Sequence, residues 1–193
     1  MILILELEAK ILKEGQVFPG EILKVGSFLN QQIDVDFLMK MGAEIAGLYK
    51  DSGVTKILTV EASGIAVAFA AAAQMHVPMV FAKKHQSLNL SPDLLRSSVF
   101  SFTHKTTYDI VVSREYISPE DTILIVDDFL AKGNALIGLI DLVEQAGAKI
   151  AGAAIAIEKG FQDGGDLIRN RGIRVESLAV IDSMTDDTIT FRH

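Results

Sequence analysis

The run Ile123-Leu124-Ile125-Val126-Asp127-Asp128-Phe129-Leu130-Ala131-Lys132-Gly133-Asn134-Ala135 passes from four aliphatic residues to two carboxylates and then to a loop of small residues. Consecutive aliphatic side chains leave no polar face, so Thr122 to Val126 is predicted to be a strand buried on both sides. Helical spacing takes over from Gly133 to Gln145 and stops at Gly147, so the loop opens directly into a helix. A helix start presents unpaired N–H groups and a partial positive charge. Ala131, Gly133 and Ala135 are small enough to let a phosphate approach that backbone. Asp127 and Asp128 would repel a phosphate they touched, and suit hydroxyl groups or a developing cation instead. Spacing alone leaves a second reading open, in which the acids merely cap the following helix.

The same alternation continues on either side. Lys56 to Val60, Pro78 to Ala82, Ile150 to Ile157 and Arg174 to Ile181 are β-rich runs, and Ser63 to Met75 and residues 163–171 read as helices. Asp34 is predicted to cap a helix reaching about Lys50, with Phe37, Leu38, Met41, Ile45 and Leu48 at helical spacing. Residues 3–14 also read as a helix, with Leu5, Ala9 and Leu12 as its apolar face and Gly15 as its stop; residues 21–30 read as an extended segment and a turn. Residues 84–96 are polar and irregular. Val99 to Phe102 and Asp109 to Val112 predict an antiparallel hairpin whose loop carries Lys105. Two-sided apolar strands alternating with helices imply an α/β fold with a mostly parallel central sheet flanked by helices. Ligands of such sheets bind beyond the carboxyl ends of the strands, here after Val60, after Ala82 and after Val126.

Bulk properties narrow the classes. The chain has 193 residues, 49% of them hydrophobic and 22% charged, which fits one globular domain over residues 1–193, with about residues 1–33 as an N-terminal appendage. A formal net charge of −7 argues against duplex nucleic acid as the main partner. No cysteine is present, which excludes disulfides, thiolate zinc sites and a Cys nucleophile. Glu6, Glu8 and Lys10 interrupt the apolar start, so no signal peptide is expected. The apolar stretch Ile65 to Ala73 is far short of the roughly 20 residues that span a bilayer, so no membrane association is expected and the cytoplasm is the default compartment.

The run from Ile123 to Ala135 resembles the phosphoribosyl pyrophosphate signature of the type I phosphoribosyltransferases, with Phe129 and Lys132 departing from its usual residues. The order strand, helix, strand, hairpin, signature strand, helix, strand is similar to the whole type I domain. Six further segments resemble the xanthine phosphoribosyltransferases of bacteria: Leu23 to Asn30, Glu61 to Ile65, Val80 to His85, Ser98 to Thr103, Ala151 to Lys159 and Arg174 to Ala179. Together they cover most of the chain, apart from about ten residues at each end.

That resemblance implies a type I phosphoribosyltransferase fold with a small N-terminal hood, to which residues near the C-terminus also contribute, and a flexible hairpin. It implies transfer of the phosphoribosyl group of phosphoribosyl pyrophosphate to xanthine, giving xanthosine monophosphate and pyrophosphate in purine salvage. Asp127 and Asp128 are then the catalytic carboxylates beside the ribose. Ala131, Lys132, Gly133, Asn134 and Ala135 hold the 5-phosphate, while Ser63, Gly64, Lys83 and Lys84 meet the pyrophosphate, with His85 and Lys105 as further cations near it. Leu23, Asn30 and Lys159 contact the base, and Phe129 and Phe161 either wall it or belong to the core. Mg²⁺ is expected to be bound through the substrate's pyrophosphate and ribose, with no protein metal ligand assigned, and the family implies a homodimer. The competing expectations are a transferase for guanine, hypoxanthine or adenine, and a non-catalytic regulator of the same fold that senses phosphoribosyl pyrophosphate. The regulators carry a separate N-terminal DNA-binding domain, whereas here the fold begins almost at once. A dinucleotide-binding reading lacks its Gly-x-Gly-x-x-Gly after the first strand.

Overall fold

All five runs read as buried strands join one sheet in the computed structural model, which describes residues 2–84, 93–101, 106–185 and 188–193. In chain order the elements are α1 (Ile2–Glu14), β1 (Gln16–Phe18), β2 (Ile22–Lys24), α2 (Val35–Leu48), β3 (Lys56–Val60), α3 (Gly64–Met75), β4 (Met79–Ala82), β5 (Leu94–Ser101), β6 (Thr106–Ser113), β7 (Thr122–Leu130), α4 (Asn134–Ala146), β8 (Lys149–Lys159), α5 (Gly164–Arg169), β9 (Val175–Met184) and β10 (Ile189–Phe191). The main sheet has the order β10-β9-β8-β7-β3-β4. Its strands run parallel except β10, which pairs antiparallel at the edge. This is the mixed, mostly parallel α/β architecture expected from the sequence.

The two-residue period of the strands divides the core between the sheet's faces. Ile57, Leu124 and Val126 pack with α1, α2 and α3 on one face, while Leu58, Ile123 and Ile125 pack with α4 and the β5–β6 hairpin on the other. Asp34 caps α2 as predicted, accepting the Phe37 N–H at 3.1 Å. Gly42 lets α2 cross α3 at backbone contact: a Cβ there would lie 2.8 Å from the Ala70 Cβ and closer still to its carbonyl.

Four local expectations change. On α1 the buried apolar residues are Leu3, Leu7 and Ile11, whereas Leu5 and Leu12 are 56% and 58% exposed; α1 lies against β9 and α2, and those neighbours choose the face. β7 continues to Leu130 because Asp127, Phe129 and Leu130 pair with Ile155, Ile157 and Glu158 of β8, so both acids lie within the strand. The hairpin starts at Leu94, inside the stretch expected to be irregular, because Leu95 and Val99 bury one face of β5 beside α4. Finally, residues 26–30 form one π-helical turn behind a β1–β2 hairpin.

The hairpin is fastened at its base. Lys83 and Val111 exchange both backbone hydrogen bonds at 2.9 Å, extending β4 onto β6. Gln145 of α4 donates to the Arg96 carbonyl at 2.7 Å and accepts its N–H at 3.3 Å, as a neighbouring strand would.

Candidate functional site

At the carboxyl edge of the main sheet, the segments following β3, β4 and β7 meet, as the topology requires. The Glu61 N–H donates to the Ala82 carbonyl at 3.0 Å, and the Lys84 N–H donates to Glu61 Oε1 at 2.8 Å. Gly64, the first residue of α3, lies beside Asp127: a Cβ on Gly64 would lie 2.7 Å from Asp127 Oδ1 and would also collide with Thr59 Oγ1. Only glycine lets the start of α3 come this close to the acid. Ser63 precedes it and makes no side-chain cap.

Asp127 and Asp128 are both buried, at 6% and 8% exposure. Asp127 Oδ1 accepts the Asp128 N–H at 3.0 Å, and Asp128 Oδ2 accepts from Asn30 Nδ2 at 3.0 Å. Burial first, then the charge and side chain of Asp128, push the Asp127 carboxyl well above the usual carboxylate range; the Asp128 backbone N–H and Lys84 act in the opposite direction. Neither acid caps α4. Its N-cap is Gly133 at φ 81°, with no side-chain cap, so the helix start is left open. The capping alternative for the acid pair is thereby excluded.

The loop between β7 and α4 is braced from two sides. The Gly164 N–H donates to the Ala131 carbonyl at 3.1 Å, and a Cβ on Gly133 would lie 3.1 Å from the Gly164 Cα. Asn134 Nδ2 donates to the Phe100 carbonyl on β5 at 2.8 Å. Lys132 is partly exposed, its Nζ 4.0 Å from an exposed Asp163 carboxylate.

This loop lines a cavity of about 480 Å³ together with Glu21, Tyr108, Phe129 and Lys159. The size suits a small molecule. Lys159 Nζ donates to the Glu21 carbonyl at 2.6 Å, and Gln162 Nε2 donates to Glu21 Oε2 at 2.7 Å, so the end of β8 holds the β1–β2 turn over the cavity. Burial lowers the Lys159 ammonium below its ordinary value, with Glu21 opposing.

The sequence-derived groups are therefore brought together unequally. Asp127, Asp128, Gly64, Lys84 and the 131–135 loop converge. Lys83 contributes its backbone to the hairpin junction. Leu23 and Asn30 line a second cavity of about 480 Å³ with Ser27 and Gln31, away from Lys159; Leu23 is 7% exposed within the core, and Asn30 reaches the site through Asp128. Phe161 packs against the core. His85 and Lys105 lie outside the described residues.

Sequence reading missed four neighbours. Lys84 Nζ sits 5.6 Å from the Tyr108 ring centre, and burial, then Asp127, raise the Tyr108 hydroxyl above its usual range. Thr59, Glu21 and Gly164 were also missed; only the Gly164-Gly165 doublet carried a signal, of close backbone approach. Among the described residues, no group of three or more His, Asp or Glu is placed to hold a metal ion, and no helix is long and apolar enough to cross a membrane.

A profile described as the phosphoribosyl transferase domain matches residues 31–164. Proteins named xanthine phosphoribosyltransferase are similar over nearly the whole chain. The one from Lachnoclostridium phytofermentans is 50% identical, covering 96% of this chain and 97% of its own length. The one from Ruminiclostridium cellulolyticum is 53% identical, covering 96% and 97%. Among solved structures, the adenine phosphoribosyltransferase of Leishmania tarentolae superposes with a TM-score of 0.76 at 18% identity, covering 94% of this chain and 90% of that one. The Giardia lamblia enzyme bound to 9-deazaadenine gives 0.75 at 22%, covering 94% and 98%. At that identity the two structures speak for the fold alone.

Proposed function

Because the chain belongs to the phosphoribosyltransferase family, and within it aligns along nearly its whole length with xanthine phosphoribosyltransferases, we propose that it makes xanthosine monophosphate from xanthine and phosphoribosyl pyrophosphate. The bond from the ribose anomeric carbon to pyrophosphate breaks, the bond to a purine ring nitrogen forms, and pyrophosphate leaves. The observation that best supports this reading is a single cavity lined by both the open start of α4 and Lys159.

In this reading the 5-phosphate rests on Ala131, Lys132, Gly133, Asn134 and Ala135, where free N–H groups meet an anion. Asp127 and Asp128 flank the ribose, accept from its hydroxyl groups and stabilise the positive charge that grows on the ring as pyrophosphate departs. Ser63, Gly64, Lys83 and Lys84 face the pyrophosphate. Lys159 donates to a base oxygen; an ammonium has three protons, and one already goes to Glu21. Asn30 and Leu23 shape the hood behind it. Mg²⁺ would be carried by the donor and would supply charge neutralisation at the pyrophosphate. We read the chain as one domain that works as a homodimer in the cytoplasm.

A mass-resolved nucleotide assay tests this. Protein, Mg²⁺ and phosphoribosyl pyrophosphate are incubated separately with xanthine, guanine, hypoxanthine and adenine, and xanthosine monophosphate should dominate. A preference for another base would discard the specificity argument, and no product with any base would leave a donor-sensing regulator. In the same assay Lys159→Ala should raise the KM for xanthine about tenfold or more, as expected for a lost charged hydrogen bond, while donor affinity stays within about twofold. Equal loss of both ligands would make Lys159 structural.

A further inference from the structure

We propose that Thr59 is a positioning residue for Asp127, its hydroxyl fixing the orientation of that carboxylate beside the ribose; this rests on the transfer reaction proposed above. β3 is otherwise apolar where it is buried: Ile57, Leu58 and Val60 are at most 6% exposed. Valine has the shape of threonine and fits a two-sided strand without a polar atom. Thr59 nevertheless stands there at zero exposure, and its Oγ1 has no hydrogen-bond partner among the described residues. A hydroxyl left dry and unpaired is unfavourable, so its retention calls for an acceptor within reach.

That acceptor is Asp127. The point where Gly64 would carry a Cβ touches Thr59 Oγ1 on one side and lies 2.7 Å from Asp127 Oδ1 on the other. The hydroxyl and the carboxylate therefore face the same small gap, and the missing side chain of Gly64 keeps it clear. Asp127 Oδ1 accepts only the Asp128 N–H among the described hydrogen bonds, and an ionised carboxylate has about four acceptor positions. The proposed contact forms when the two side chains turn toward that shared gap.

The groups facing Asp127 explain why a neutral donor suits this position. Asp128 on the same strand opposes its charge, Lys84 after β4 favours it, Tyr108 on β6 is a neutral phenol, and α3 carries no titratable residue. A second cation at Thr59 would cancel the negative charge that the reacting ribose needs. A hydroxyl fixes the carboxylate's rotation and leaves that charge in place. It also favours the ionised form, so its loss raises the pH at which Asp127 ionises.

The test compares Thr59→Val, Thr59→Ser and Thr59→Ala in the whole protein. Thr59→Val should fold and lose about tenfold in kcat, the size of one hydrogen bond. The KM values should stay within about twofold, and the acid limb of the kcat profile should move up by about one pH unit. Thr59→Ser should recover kcat to within about threefold, and should exceed Thr59→Ala, from which it differs only by the hydroxyl. Wild-type kcat and an unmoved acid limb in Thr59→Val, or equal rates for the Ser and Ala variants, would overturn the proposal. Carbon-13 NMR of the Asp127 carboxyl separates this inference from the proposed reaction. An upward titration shift in Thr59→Val upholds the contact even if xanthine is not the substrate, and an unchanged titration refutes it even if xanthosine monophosphate is made.

Discussion

Asp127→Asn is expected to lower kcat by about 10²-fold or more, the scale of losing one preorganised electrostatic partner, and at the same time to raise the melting temperature. Both effects come from one carboxyl. The amide keeps the shape and still accepts the Asp128 N–H, but it cannot balance the positive charge that develops on the ribose. Burial and the neighbouring Asp128 hold the Asp127 carboxyl well above its unfolded value. Below the unfolded value both states are protonated and nothing is lost. As pH rises past that value the unfolded chain ionises freely while the folded protein resists, so stability falls until the folded carboxyl has also ionised. The variant avoids this loss. Its advantage in melting temperature should be small in acid, where both states are protonated, and grow as the pH rises until the folded carboxyl ionises. Melting curves over that range, with steady-state kinetics alongside, check both halves. A kcat within about threefold of wild type, or a melting advantage that ignores pH, would remove Asp127 from its proposed role.

Gly164→Ala should raise the KM for phosphoribosyl pyrophosphate about 10²-fold, the loss typical of a displacement near 1 Å in a reacting group's support. The new Cβ would lie 2.7 Å from the Gly133 nitrogen, 2.8 Å from the Lys132 carbonyl carbon and closer still to the Ala131 carbonyl oxygen. All three contacts are backbone, so no flexible side chain can yield, and the loop expected to hold the 5-phosphate must move. Overpacking of this kind typically costs about 1–3 kcal/mol, so the variant should fold but melt lower. Xanthine binding should change less than donor binding, because Lys159 is held by Glu21 and not by Gly164. Gly47→Ala on α2 serves as control: nothing lies within 4 Å of its Cβ position, and the donor KM should be unchanged. Equal donor affinity in the wild-type protein and Gly164→Ala would show that the loop does not depend on this brace.

What the sequence disclosed follows the range over which each feature is determined. β3, β7 and β8 are apolar on both faces, and no alternative placement satisfies such segments, so they were legible. The acid pair and the 131–135 loop were legible because their groups are contiguous in the chain. α1 was misread because Ile2 to Leu5 is apolar on every side and two sets of helical spacing compete; contact with β9 and α2 selects Leu3, Leu7 and Ile11. The brace between Gly133 and Gly164, the Lys84–Tyr108 contact and the approach of Thr59 to Asp127 join residues that are distant in sequence. Each depends on register between strands, which no local pattern encodes. Leu23, Asn30 and Lys159 were grouped by resemblance, and the structure separates them between two cavities.

The bond from Asn134 to the Phe100 carbonyl joins the phosphate-side loop to the hairpin, while the Lys83–Val111 pair anchors the hairpin's other end to the sheet. One wall of the cavity is therefore tied both to the sheet and, through Asn134, to the 131–135 loop. Parting of that bond would loosen the wall and the loop proposed to hold the donor together. Slowed exchange of the one bonded Asn134 amide proton is the expected sign that loop and wall move as one.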